Sequence, residues 1–117
     1  MTEGKPQSGI ILLDKPEGIS SYTAVGKIRR LLQMKTVGHT GTLDPMATGL
    51  LPVCFGRATR AVEFMTGHDK RYLAGLQLGM ATDTGDTTGS VIARSERTAT
   101  ADEVAAVLSH FTGNLRQ

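Results

Sequence analysis

The sequence predicts an α+β fold, a mixed and largely antiparallel sheet flanked by helices, and three observations carry that expectation. Apolar stretches follow the order strand, helix, loop, strand, helix, hairpin, helix, with no regular βαβ repeat. In YLAGLQLG at 72–79, Tyr72, Ala74, Leu76 and Leu78 alternate with Leu73, Gly75 and Gln77, and VIA at 91–93 returns beyond the turn-rich TDTGDTTG. Hydrophobic residues make up 39% and charged residues 21% of 117 residues, the balance of one small globular domain. Such a chain buries roughly two-thirds of the surface its unfolded form exposes.

SGIILLDKPEG reads as a strand over 9–14 stopped by Pro16 and Gly18. Ser20 or Ser21 then caps a helix to about Met34. At about 100° per residue, Ala24, Val25, Ile28, Leu31 and Leu32 share its packing face, and Lys27, Arg29, Arg30 and Gln33 the wet, basic one. Gly26 inside this helix costs about 1 kcal/mol relative to Ala, which predicts a close packing contact there. LLPVCF at 50–55 reads as a strand that Pro52 confines to an edge or a bulge. RATRAVEFM at 57–65 reads as a short helix. Thr100 and Glu103 have the offset of a capping box, opening a helix through Leu108 whose apolar face Phe111 closes.

Several classes drop out. No apolar run approaches the ~20 residues of a membrane helix, and MTEGKPQSG lacks the apolar core of a secretion signal. The single cysteine, Cys54, has no internal disulfide partner, and its apolar neighbours Val53 and Phe55 suggest an inert buried thiol in a cytoplasmic protein. His39, His68 and His110 lie far apart and Cys54 has no metal-ligand spacing with any of them, so no metal site is expected. TDTGDTTG fails as a calcium loop because position 94 is Arg94 rather than glutamate. Neither GxGxxG nor GxxxxGK[ST] occurs, and no GxSxG elbow supports a serine nucleophile.

The net charge of +2 is unevenly spread: residues 15–71 hold nine Lys or Arg against four acids, whereas residues 72–117 hold three against five. The basic portion also contains GHTGTLDPMATG at 38–49, as suits a polyanionic partner, although a solvated basic surface is the plainer reading of the charge alone. Asp14 at a strand end reads as a turn-bonding acid. Asp44 sits differently: Pro45 biases it toward extended backbone, and Gly38, Gly41 and Gly49 allow shapes and approaches that side chains block. Such a loop can present one acid to a bulky ligand. An ordinary Asp-Pro turn is the plainer alternative. His39, the surrounding basic residues and the aromatic of KRY at 70–72 favour chemistry on a nucleotide.

Three segments carry a specific resemblance: DKPEGISS at 14–21, GHTGTLDPMATGLLPVCFGRATR at 38–60 and DKRYLAGLQLGMATDTGD at 69–86. In order and spacing they resemble the bacterial TruB family, the tRNA pseudouridine-55 synthases. The resemblance implies the pseudouridine synthase catalytic fold and a cofactor-free, metal-free isomerisation of one uridine in the tRNA T-loop. It implies Asp44 as the nucleophile, attacking ribose C1′ or uracil C6. It implies that His39 contacts the RNA around an everted base and that Tyr72 stacks on the flipped uracil; a core position for Tyr72 fits its alternation equally well.

On the same resemblance Lys15, Pro16, Gly41 and Thr42 support the active loop, and Asp83 and Asp86 shape a turn. Lys27, Arg29, Arg30, Arg57, Arg60, Lys70 and Arg71 are candidate phosphate contacts toward the T-arm of tRNA, with a monomer expected. GNLRQ brings no closing element, so residues 1–117 read as the N-terminal portion of a catalytic domain. The remaining strands, an arginine that pairs with the aspartate and a small C-terminal RNA-binding module are expected beyond them. Two alternatives stay open. One is a non-catalytic RNA-binding or remodelling fragment; the other is a guide-RNA-dependent pseudouridine synthase, which LLPVCFGRATR disfavours.

Overall fold

Strand β1, Ser8–Lys15, pairs antiparallel with β3, Gly49–Gly56, from Ser8 opposite Gly56 to Lys15 opposite Gly49. Strand β2, Val37–His39, lies on the other side of β3, giving the order β1-β3-β2. The structure, a computed structural model, describes Gly4 and residues 7–117; residues 1–3 and 5–6, part of the stretch read for a secretion signal, lie outside the described residues. The chain forms two compact units, Met1–Arg71 and Tyr72–Gln117.

In the first unit helix α1, Ser21–Leu32, begins where the sequence places it: the Ser20 hydroxyl accepts from the Thr23 N–H at 3.0 Å. It ends at Gln33, whose left-handed backbone (φ 53°) aims its N–H back at the carbonyls of Arg29 and Arg30, so the helix stops short of Met34. Ala24, Val25 and Ile28 of α1 form the core with Val37, Leu51, Val53 and Phe55. Opposed residues of antiparallel strands share a face, so Ile11 and Leu13 join that layer beside Val53 and Leu51. Full burial of a side chain such as Val25, Leu51 or Val53 contributes roughly 1.5–3 kcal/mol. Leu31 departs from expectation at 82% exposed, being at the margin of the apolar stripe. Gly26 departs too: a Cβ there would meet nothing within 4 Å, so no close contact explains it.

Pro52 does not put β3 at an edge; β3 is the central strand. The reason is local. The Pro52 carbonyl accepts from the Thr40 N–H at 3.1 Å, so its nitrogen faces the β2 side, and β2 ends one residue earlier, at His39. The missing N–H therefore falls where the ladder has stopped. The expected helix at 57–65 is a 3-10 turn, Arg57–Ala61, running into the short helix α2, Val62–Met65. Met65 Sδ lies 4.0 Å from the fully buried Cys54 Sγ, and burial raises the pKa of that thiol.

In the second unit two sequence expectations fail, the strand over 72–79 and the closing role of Phe111. Residues 72–77 form no strand among the described residues; strand β4 is Met80–Thr82, paired with β5, Val91–Arg94, as a hairpin with an irregularity at Ala81/Thr82. Alternation alone makes no ladder: among the described residues no backbone hydrogen-bonds 72–77, and Leu73 and Leu76 are 104% and 80% exposed. Helix α3, Ala101–Leu108, carries the full capping box, Thr100 N–H to Glu103 at 2.9 Å and Glu103 N–H to the Thr100 hydroxyl at 3.2 Å. Phe111 does not close its apolar face; it ends a 3-10 turn, Ser109–Phe111, and is exposed.

Candidate functional site

The loop between β2 and β3 has no strand partner, so its backbone groups must be satisfied from elsewhere. The Ala47 N–H donates to the Asp44 carbonyl at 2.9 Å, closing a turn with Pro45 and Met46 at its centre. Asp at the first position and Pro at the second suit that turn. The Pro45 carbonyl accepts from the Gly18 N–H at 2.7 Å and from Lys15 Nζ at 3.3 Å.

Lys15 terminates β1 on the core face and is fully buried. Its ammonium also donates to the carbonyls of Pro16 and Ile19, both at 2.8 Å. A buried charge needs such a shell in place of water. One side chain thus ties the end of β1, the 16–19 turn and the 44–47 turn together. Ser21, 3% exposed at the first turn of α1, donates its hydroxyl to the Leu43 carbonyl at 3.0 Å and accepts from the Leu43 N–H at 2.9 Å. The Leu43 side chain packs against the core.

Asp44 is exposed, and among the described residues its carboxylate takes no hydrogen bond and no ion pair. The two residues flanking it are held and its side chain is turned out to solvent. Of the three loop glycines only Gly49 has a backbone that requires one, with φ at +132°; Gly38 and Gly41 do not. Thr42 is exposed, and Gly41 lies near Lys70, whose Nζ is 3.9 Å from where a Gly41 Cβ would stand.

His39 is half-buried on β2 opposite Val53, with Nδ1 buried and without a hydrogen-bond partner among the described residues. Tyr72 begins the other unit in an irregular stretch, 66% exposed rather than in a core. Lys27, Arg30, Arg57, Arg60, Lys70 and Arg71 are all exposed, and none is paired with a carboxylate among the described residues. Arg29 differs: half-buried, it donates from Nη2 to the Val37 carbonyl at 3.0 Å and braces β2.

Asp14 is exposed on β1 and takes no turn hydrogen bond among the described residues. Asp83 and Asp86 organise the hairpin turn. Asp83 accepts from the Ser90 N–H at 2.8 Å, and Asp86 from the hydroxyls of Thr88 and Thr84 at 2.6 and 2.7 Å. Among the described residues no group of three His, Cys, Asp or Glu side chains could hold a metal ion, and no helix is long and apolar enough to cross a membrane. The residue that motif reading missed is Ser21: in the sequence it is one of two adjacent serines, with nothing to mark it as the inward one.

The loop thus carries one exposed carboxylate, Asp44, between two residues held by Lys15 and Ser21, with the Lys70 ammonium near the same loop at Gly41. The description TruB family pseudouridylate synthase (N terminal domain) fits residues 29–117, and the chain belongs to that family. It is 50% identical to tRNA pseudouridine synthase B of Neisseria meningitidis serogroup B over 121 residues, covering 100% of this chain and 39% of that protein. The same-named protein of Geobacillus thermodenitrificans is 49% identical over 111 residues, covering 93% and 37%. The chain therefore spans about two-fifths of the length of these curated relatives. A solved archaeal box H/ACA sRNP Nop10-Cbf5 complex is similar at 49% identity over 50% of this chain and 19% of that one, with a TM-score of 0.48.

Proposed function

We propose that these residues are the nucleophile-bearing N-terminal portion of a tRNA pseudouridine synthase that converts uridine 55 of the T-loop to pseudouridine. One observation carries the reading: Asp44 stands exposed and, among the described residues, unpartnered, while Lys15 and Ser21 grip the residues on either side of it. Identity of 50% along the whole chain to a protein named tRNA pseudouridine synthase B supports the substrate.

The chemistry is an isomerisation, so nothing is oxidised and no group enters or leaves overall. The Asp44 oxygen attacks ribose C1′ or uracil C6 as the bond from C1′ to nitrogen breaks. The uracil turns, its C5 bonds to C1′, the carboxylate leaves, and the C5 proton passes to water as the nitrogen regains one. The uridine must first leave its stack, at a cost of a few kcal/mol. His39 contacts the RNA around the vacated position and Tyr72 stacks on the everted ring. Lys15, Pro16, Gly41 and Thr42 support the loop that carries Asp44, and the exposed cations grip phosphates of the T-arm. On this reading the enzyme is a cytoplasmic monomer.

Incubating the full-length protein with an unmodified tRNA transcript tests this. One new pseudouridine in the T-loop without guide RNA is expected. Conversion that requires a guide RNA moves the protein to the guide-dependent class. Salt-sensitive binding without product under either condition leaves an RNA-binding module.

A further inference from the structure

Ser20 and Ser21 are adjacent and chemically identical, yet the fold gives them different work. Ser20 faces outward and caps α1. Ser21 is 3% exposed and turned toward the loop, where its single hydroxyl serves both backbone groups of Leu43, 22 residues away, as donor at 3.0 Å and acceptor at 2.9 Å. α1 does not need this hydroxyl, because its cap is already supplied. The loop does, because neither Leu43 group has another partner among the described residues.

We propose that Ser21 is a positioning residue for the Asp44 carboxylate; this rests on the reading of Asp44 as nucleophile. Two residues determine the backbone on either side of Asp44. Pro45 is held from the C-terminal side through its carbonyl by Lys15 and the Gly18 N–H. Leu43 is held from the N-terminal side by Ser21, with its side chain against the core. Among the described residues the Asp44 carboxylate takes no hydrogen bond or ion pair, so its direction is inherited from these flanks. With the Ser21 hydroxyl gone, the peptide between Leu43 and Asp44 can rotate about a fixed Pro45, and the carboxylate swings with it. A displacement on the order of 1 Å at a reacting group can cost about 100-fold in rate.

The test uses the full-length protein, measuring the single-turnover rate of pseudouridine formation, tRNA Kd and Tm for wild type, Ser21→Ala and Ser21→Thr. Ser21→Ala is expected to lower the single-turnover rate by about 10- to 100-fold, with Kd within about twofold. Ser21→Thr keeps the hydroxyl and is expected to recover most of the rate. If Ser21→Ala does not fold, Ser21→Cys fills the site with a feebler donor and acceptor and carries the same expectation. A Ser21→Ala rate within about twofold of wild type overturns the proposal. So does a loss of rate matched by an equal loss of tRNA affinity and by a Ser21→Thr variant no better than Ser21→Ala. Wild-type protein that forms no pseudouridine defeats the functional reading itself, an outcome separate from either.

Discussion

The ammonium of Lys15 meets the carbonyl of Pro45 at 3.3 Å across a sequence separation of 30, in a position fully closed to solvent. A buried cation solvated by three carbonyls stabilises the fold only while all three remain its partners. Lys15→Met keeps most of the volume and leaves the carbonyls of Pro16 and Ile19 without this donor. The expected loss of stability is about 1–3 kcal/mol, read by chemical denaturation of the full-length protein. An unchanged midpoint contradicts the bracing role.

Cys54 offers a direct probe of the sheet. Its thiol is fully buried beside Met65 and its pKa is raised by burial, which keeps it in the unreactive protonated form. Thiol titration of native protein is expected to leave Cys54 unmodified for hours and to modify it within minutes in denaturant. Rapid reaction under native conditions contradicts the packing of β3 against the 57–65 segment.

Asp86 makes the hairpin turn sensitive to acid. The Thr88 hydroxyl first, then the Thr84 hydroxyl and the Thr88 N–H, hold its carboxyl below the usual carboxylate range. A folded pKa below the unfolded value of about 3.9 means that the contribution is complete above that pH and is lost as pH falls through the lower folded value. The chemical shift of the Thr88 amide is expected to titrate with a midpoint below about 3.9, and Asp86→Asn to remove the titration. A midpoint at or above the ordinary value contradicts the turn geometry.

Lys70, exposed beside Gly41, is expected to contact an RNA phosphate. Lys70→Gln is predicted to weaken tRNA binding and to reduce the slope of log Kd against log salt by about 0.7–0.9. An unaltered slope removes Lys70 from the interface.

The sequence disclosed most where structure is local. Ser20 before an apolar period of 3.6 located α1, and the Thr100/Glu103 offset located the cap of α3, because a helix satisfies its own backbone. It disclosed less where partners are distant. YLAGLQLG has the pattern of a strand but no ladder here, and Pro52 suggested an edge because nothing nearby in sequence announces that β2 stops at His39. The site divides the same way. Asp44 and its loop stood out through an unusual run of residues, whereas Ser21 and the buried state of Lys15 depend on contacts 22 and 30 residues away.

In the proposed mechanism the Asp44 carboxylate bonds transiently to an everted uridine. Release of tritium from tRNA labelled at uridine C5, compared between the full-length protein and Asp44→Ala, tests it most directly. Release by the wild type and none above background for Asp44→Ala, with tRNA still bound, is expected. Equal release from the two proteins would contradict it.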